Sequence, residues 1–455
     1  MNNFKSHPPI ELNNCSKETI LNYFENAWKL EDILMQSIIE EKTFYVNPDD
    51  LRNPLIFYLG HCPAFYINKL FQVNLLEKSL NSNYEILFGF GVDPETPDEL
   101  KAAIADIKWP EVSQVWEYRN QAYQIILEFI KNALFTFPIR QNDPLWALIM
   151  GMEHQRIHIE TSSMLIRQLP VEKVERPQGW EYAPSHSKIS HNEMIEVSGG
   201  IVDIGKPEDS PIYGWDNEYG YRQVEVNIFL VSKYMITNGE FKEFVDNGGY
   251  ENKAYWDDES WQWKNHYQVK YPKFWLVDNQ GNYQYRAMFD VMELPLDWPV
   301  EVNHYEAMAY CRAQNQPTRL MSEAEYNLAT YGSHKNDNYD PKKDNFDNYN
   351  LNLKFGSPSP VGMLETAKNS FGIYDLRGNV WEWLEDDFNP LPGFKAHFLY
   401  EDNSTPFFNS QHKMMLGGCW ITNGTEVLQY YRNWFRSNFY QHAGFRIVKD
   451  VKKLF

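Results

Sequence analysis

Two histidines four residues apart, His154 and His158, stand in the segment GMEHQRIHIETSS at 151–163. On an α-helix that spacing stacks both imidazoles on one face, about 5–6 Å apart at Cβ, close enough to share one metal ion. The pair alone equally suits two hydrogen-bonded core histidines. An HEXXH pattern would point to a zinc protease, but here Gln155 and Arg156 follow the first histidine, and the nearest downstream acid is Glu160. Glu160 falls about 200° round the helix from His158 and cannot easily reach the same ion. The usual two-histidine, one-carboxylate iron site is therefore not written on this helix alone, and a third ligand has to come from elsewhere.

The pair needs a helix, and its flanks predict one. Pro144, Leu145, Trp146, Leu148, Ile149, Met152, Ile157, Ile159, Met164 and Leu165 form an apolar-rich run after Asp143, a good N-cap, with no internal proline. Upstream, Ser16 can cap a helix through Ile20, Leu21, Phe24, Trp28, Ile33, Leu34 and Ile38. Pro54 can open a second helix, LIFYLGHCPAFYINKLFQVNLL, in which Pro63 should introduce a kink or a restart. Residues 78–112 read as loop-rich, with a new N-terminus near Thr96, and a third long helix is expected over Val112–Leu134. Four amphipathic helices of this kind suggest a bundle spanning 1–170, whose core is a usual place for a metal site. Residues 171–192 are polar and carry prolines, which suggests a linker. From 193 to 455 the texture changes to short alternating runs and many turn residues. The clearest helices there are Thr237–Asn247 and Val302–Gln314, and 331–360 reads as a polar, solvated loop without an EF-hand pattern. The fold class is α+β.

At 455 residues the chain is long enough for two or three domains. Its net charge of −20 disfavours nucleic acid or an anionic membrane as partner, and favours small molecules. Four scattered cysteines without a CXXC pair fit a reducing compartment. The polar N-terminus lacks the apolar core of a signal peptide, and no apolar run reaches 18 residues, so a cytoplasmic protein is expected. A P-loop, GXGXXG and GXSXG are all missing, which leaves nucleotide binding and serine hydrolysis without support.

Four C-terminal segments are more specific: PVEVNHYEAMAYCRAQNQPTRLMSEAEYNLA (299–329), NSFGIYDLRGNVWEW (369–383), GGCW (417–420) and AGFRIV (443–448). In this order they resemble the formylglycine-generating-enzyme fold, a lectin-like domain with little regular secondary structure. The copper-binding cysteine pair of those enzymes is not seen. The first half resembles the DinB-like four-helix bundle that accompanies this fold in the non-haem iron sulfoxide synthases, with His154, His158 and Glu160 as the HXXXHXE motif. The resemblance then implies His61, in LGHCPAF, as third iron ligand. YFENAWKLEDILMQSI, NPLIFYLGHCPAFYINKL and EHQRIHIETSSMLIRQ look like the ovothiol branch (OvoA), the 5-histidylcysteine sulfoxide synthases. The ergothioneine branch typically has HXXQHXE, and position 157 here is isoleucine. Ovothiol enzymes commonly continue into a methyltransferase domain. This sequence stops at Phe455, so methylation of the imidazole is not expected of it, and a separate methyltransferase and lyase would act downstream.

The resemblance implies Fe(II) held by His61, His154 and His158, with cysteine, histidine and dioxygen as substrates and 5-histidylcysteine sulfoxide as product. It further implies Arg119, in WEYRNQAY, as a grip on the thiol substrate, and Asn433, Trp434 and Arg436, in YYRNWFRSNFYQHAGFR, as substrate contacts. An Asp and an Arg that contact γ-glutamylcysteine in the ergothioneine enzymes are replaced by Phe435 and Phe439. Tyr400, in GFKAHFLYEDNS, is the implied proton or electron donor near the iron. The alternatives are an ergothioneine-type synthase acting on hercynine with cysteine or γ-glutamylcysteine, a selenoneine synthase, a zinc hydrolase using the same ligands, and a lectin-like binding module without catalysis.

Overall fold

The computed structural model describes residues 4–89, 91, 93–186, 191–333 and 344–451. Helices α1 (Lys17–Gln36), α2 (Leu55–Gln72), α5 (Val112–Asn132) and α6 (Trp146–Gln168) form the expected bundle, with short α3 (Ser82–Leu87) and α4 (Pro97–Ile104) in the loop-rich stretch. Ser16 caps α1 by accepting the Thr19 N–H, and Thr96 caps α4 by accepting that of Glu99. Two local expectations change. Helix α2 runs unbroken through Pro63, although proline cannot supply the N–H that the Leu59 carbonyl would otherwise accept. Helix α6 starts at Trp146 because the Asp143 carboxylate accepts the Arg140 N–H instead, and the Trp146 N–H goes to the Asp143 carbonyl.

The C-terminal half holds α7 (Asn238–Asp246), α8 (Asp258–His266), α9 (His304–Ala313) and α10 (Glu323–Tyr331) among short strands. Its widest sheet orders Asn433–Arg436, His412–Leu416, Trp381–Asp387 and Ala443–Gly444. The first three are antiparallel and the last pairs in parallel. Helix α7 begins as expected at a Thr237 capping box closed by Glu240; α8 and α10 were not singled out in the sequence. Of the polar loop expected at 331–360, residues 334–343 lie outside the described residues.

The stretch expected as a linker is packed rather than solvated. Trp180 is buried against Phe4, Phe289 and Trp420 and donates to the Gly356 carbonyl at 2.9 Å. The Ala183 N–H donates to Ser357, and Ser185 donates to Asp297. One apolar cluster accordingly runs from Ile20 and Phe24 in α1 to Trp298, Trp420 and Phe445.

Polar contacts made by α6 lock the two halves. The Arg167 guanidinium donates to both oxygens of Glu301, at 2.6 and 2.8 Å, and to the Arg286 carbonyl at 2.8 Å. Glu153 accepts from the Thr425 N–H and hydroxyl, and Arg156 donates to Asn423 at 2.9 Å. Burial would raise the Glu301 carboxyl, but Arg167 and His442 hold it down at about 2. A buried pair broken on one side leaves an uncompensated charge. Arg167→Ala should therefore cost about 3–5 kcal/mol in urea unfolding, and the double change Arg167→Met with Glu301→Leu should recover most of it.

Candidate metal centre

Helices α2 and α6 bring three imidazoles together in the bundle interior. One ligand nitrogen from each of His61, His154 and His158 lies within 4.8 Å of the others. The ring centroids are 4.9 Å apart for His61 and His154, 4.5 Å for His61 and His158, and 4.4 Å for His154 and His158. Glycine makes this approach possible. A Cβ on Gly151 would sit 2.4 Å from the Tyr66 ring of α2, so only glycine lets the helices close. Gly60 does the same for Phe88, whose ring lies where a side chain at 60 would be, 2.5 Å from a Cβ built there. Phe88 is thereby placed with its carbonyl 2.6 Å from His61 Nδ1, which assigns the proton to Nδ1 and leaves Nε2 for a metal.

The remaining nitrogens test whether the site suits an ion. His154 Nδ1 and Nε2 and His158 Nδ1 are buried with no hydrogen-bond partner. A buried polar atom without a partner is costly, and three converging imidazoles are a usual ligand set for iron or zinc. Burial lowers the pKa of all three; at His154 and His158 the neighbouring imidazoles add to the effect. They are thus neutral, as ligation requires. The residues fit a divalent transition metal. Phe65 stacks on the His154 ring at 3.6 Å with an interplanar angle of 4° and fixes its plane. Glu160, as the helix geometry requires, points elsewhere: it accepts from Trp381 Nε1 at 2.6 Å and from the Thr422 hydroxyl.

Tyr400 is brought to the site from the C-terminal half. Its ring centroid is 6.2 Å from that of His154 and 5.3 Å from that of Phe65, edge-on to both. Trp215 lies on another side at 6.4 Å. Lys69, in the last turn of α2, donates to the Leu399 carbonyl and sits 4.7 Å over the Tyr400 ring. Burial lowers this ammonium to about 8. Burial also pushes the Tyr400 phenol up, so it stays protonated at neutral pH.

The expected substrate contacts fare differently. Arg119 is buried in an ion network, paired with Glu31 and Asp32 at 2.7 Å each and lying over Trp28. Glu31 in turn accepts from Gln155, so this arginine supports the ligand helices and its carboxylate partners come from the protein. Trp434 stacks on Phe388 at 4.2 Å, and Arg436 pairs with Asp93 at 2.7 Å; neither is brought to the histidines. Strand alternation explains this, because residues 434 and 436 share the face opposite to 433 and 435. Asn433 is buried, and its side-chain oxygen accepts the Trp434 N–H. Sequence reasoning missed Arg52, Lys69 and the Phe88 carbonyl. The first two carry no motif, and the third is main chain.

Comparison with known proteins bears on the C-terminal half and on the family. Residues 181–451 match the sulfatase-modifying factor enzyme 1-like domain, and the chain belongs to that family. Among relatives, hercynine oxygenase of Mycobacterium tuberculosis is 29% identical over 52% of this chain and 56% of its own length. Ergothioneine biosynthesis protein 1 of Neurospora crassa is 24% identical over 95% of this chain and 58% of its own length. Hercynine oxygenase of Mycolicibacterium thermoresistibile is 25% identical over 89% of each chain. The chain thus spans less than two thirds of the first two relatives. All three names belong to the ergothioneine side rather than to the ovothiol branch that the sequence motifs favoured. No helix among the described residues is long and apolar enough to cross a membrane.

His61→Ala, His154→Ala and His158→Ala should each lose stoichiometric Fe(II) in metal analysis of the anaerobically loaded protein. Glu160→Gln should retain it.

Proposed function

We propose that the protein is an iron(II)- and dioxygen-dependent sulfoxide synthase that couples the sulfur of a thiol amino acid to the imidazole ring of a histidine-type amino acid. The observation that carries this reading is the cluster of three neutral imidazoles, two buried and that of His158 half-buried, with unpartnered nitrogens and faced by a protonated tyrosine. Three protein ligands leave coordination positions for guests. When bound, iron would supply oxygen activation and stabilise a thiolate, which redox-inert zinc could not turn into oxidative C–S bond formation. The relatives named as oxygenases favour iron for the same reason.

The chain's own residues do the rest. His61, fixed in one tautomer by the Phe88 carbonyl, and His154, fixed in one plane by Phe65, hold the ligand geometry without rearrangement. Phe65 and Tyr58 set aromatic rings beside His154 and His158, and Trp215 sets one beside Tyr400. Tyr400, whose ring stands edge-on to His154, keeps its hydroxyl proton, so it can serve as donor in the step that needs one.

The names of the relatives favour hercynine as the imidazole partner. A second reading, plain histidine as in the ovothiol branch, has one observation of its own. Ile157, half-buried next to His158, packs against the apolar core and offers no amide where the ergothioneine enzymes carry glutamine.

Purified protein given Fe(II), oxygen, cysteine and either hercynine or histidine should consume oxygen and yield a coupled sulfoxide visible by mass spectrometry. The better acceptor, judged by kcat/KM, decides between the two readings, and no coupled product with either would overturn the function. Tyr400→Phe should keep its iron while losing about 100-fold or more in coupling rate, since it keeps the ring and removes only the proton donor.

A further inference from the structure

The buried arginines of this protein are mostly spent on its own carboxylates: Arg119 on Glu31, Arg167 on Glu301, Arg377 on Asp344, Arg432 on Glu323 and Arg446 on Glu382. Arg52 is different. It sits half-buried two residues before the N-cap Pro54 of the ligand helix α2. Among the described residues no carboxylate lies within ion-pair distance of its guanidinium. The group rests instead on aromatic faces, 4.7 Å over Phe439 and 5.6 Å over Phe435. It interacts with the hydroxyl of Tyr58, whose ring is 6.2 Å from that of His158.

The backbone holds this arginine in place. The Arg52 N–H donates to the Asp49 carbonyl at 3.1 Å, and the Arg52 carbonyl accepts from the Asn47 side chain at 2.7 Å. The Asp49 carboxylate, three residues earlier in the chain, accepts the Leu51 N–H at 2.9 Å. A cleft of about 440 Å³ between residues 48–51 and residues 267–273 reaches Phe439, the ring beneath the guanidinium, but neither Arg52 nor the three histidines line it. A pre-positioned guanidinium with no carboxylate partner, on an apolar floor and beside Tyr58 next to the three-histidine cluster, is the arrangement that recognises a carboxylate in two-point fashion.

We propose that Arg52 anchors the α-carboxylate of an amino-acid substrate whose side chain reaches the three-histidine centre. This rests on the function proposed above and adds the group that selects amino acids over their decarboxylated amines. The thiol and the imidazole substrates share that carboxylate, and the test separates them.

Full-length protein loaded with Co(II), an optical reporter of ligation, would be titrated anaerobically with cysteine, cysteamine, histidine and histamine. Wild type should bind one carboxylated member at least about tenfold more tightly than its amine, the usual worth of a charge-assisted hydrogen bond. Cysteine over cysteamine places the thiol substrate on Arg52; histidine over histamine places the imidazole substrate there. Arg52→Gln should erase that preference by weakening only the carboxylated ligand, with the cobalt spectrum of the ligand-free protein unchanged. Arg52→Lys, which keeps the charge and loses the fork, should fall between. Equal binding of both members of each pair by wild type, or an Arg52→Gln protein that keeps the preference, would overturn the assignment while leaving the metal chemistry intact. A cobalt spectrum that answers to none of the four ligands would instead overturn the function on which the assignment rests.

Discussion

Helix α6 has two opposite faces, and the polar one determines what the other can do. Towards the bundle interior it offers His154 and His158. Towards the C-terminal half it offers Glu153, Arg156, Glu160, Ser163 and Arg167, each hydrogen-bonded across the junction. Charges buried this deeply are costly unless every one finds its partner in good geometry, so the halves have essentially one way to meet. That one docking carries Tyr400 to the edge of the histidine cluster. A purely apolar junction of the same area could slide, and a displacement of an ångström at a reactive centre is enough to matter.

The metal site itself is held in an unfavourable arrangement that the fold tolerates. Three imidazoles sit closer than their hydrogen-bonding needs allow, with unpartnered nitrogens and no room for extra positive charge. Stacking on Phe65, the close approach at Gly151 and the Phe88 carbonyl impose this arrangement before any ion arrives. Binding a cation then relieves the deficit, which is how preorganisation translates into affinity. Lys69, tied to the Leu399 carbonyl, extends the same logic to the loop that carries Tyr400.

Much of this was legible in the sequence, for identifiable reasons. Side-chain caps at Ser16, Thr96 and Thr237 are local, so the starts of α1, α4 and α7 fell where expected. The i,i+4 histidines and the misplaced Glu160 follow from helix geometry alone. His61 lies far away in sequence and was reachable only through resemblance to known synthases. Arg119 looked like a substrate grip because nothing in its own segment reveals Glu31 and Asp32 opposite it. Trp434 and Arg436 could have been doubted from the two-residue period of their strand. The Trp180 strap reads as a linker because its prolines and charges hide the single tryptophan that buries it. Arg52 was invisible because its distinction is a missing partner, a property of the surroundings rather than of the residue.

The orientation of His61 depends on a main-chain carbonyl, and this gives it an unusual kind of robustness. Where a glutamate or asparagine orients a metal-bound imidazole, a single codon change can delete that support. Here any residue at position 88 presents a carbonyl, so the chemical group itself cannot be mutated away, and what a change there can lose is the ring that seats it. Its vulnerability is displaced to Gly60, where any side chain would push the Phe88 ring, and the carbonyl behind it, off its seat. The two residues form one mechanical unit: the ring at 88 needs the glycine at 60, and the carbonyl needs the ring.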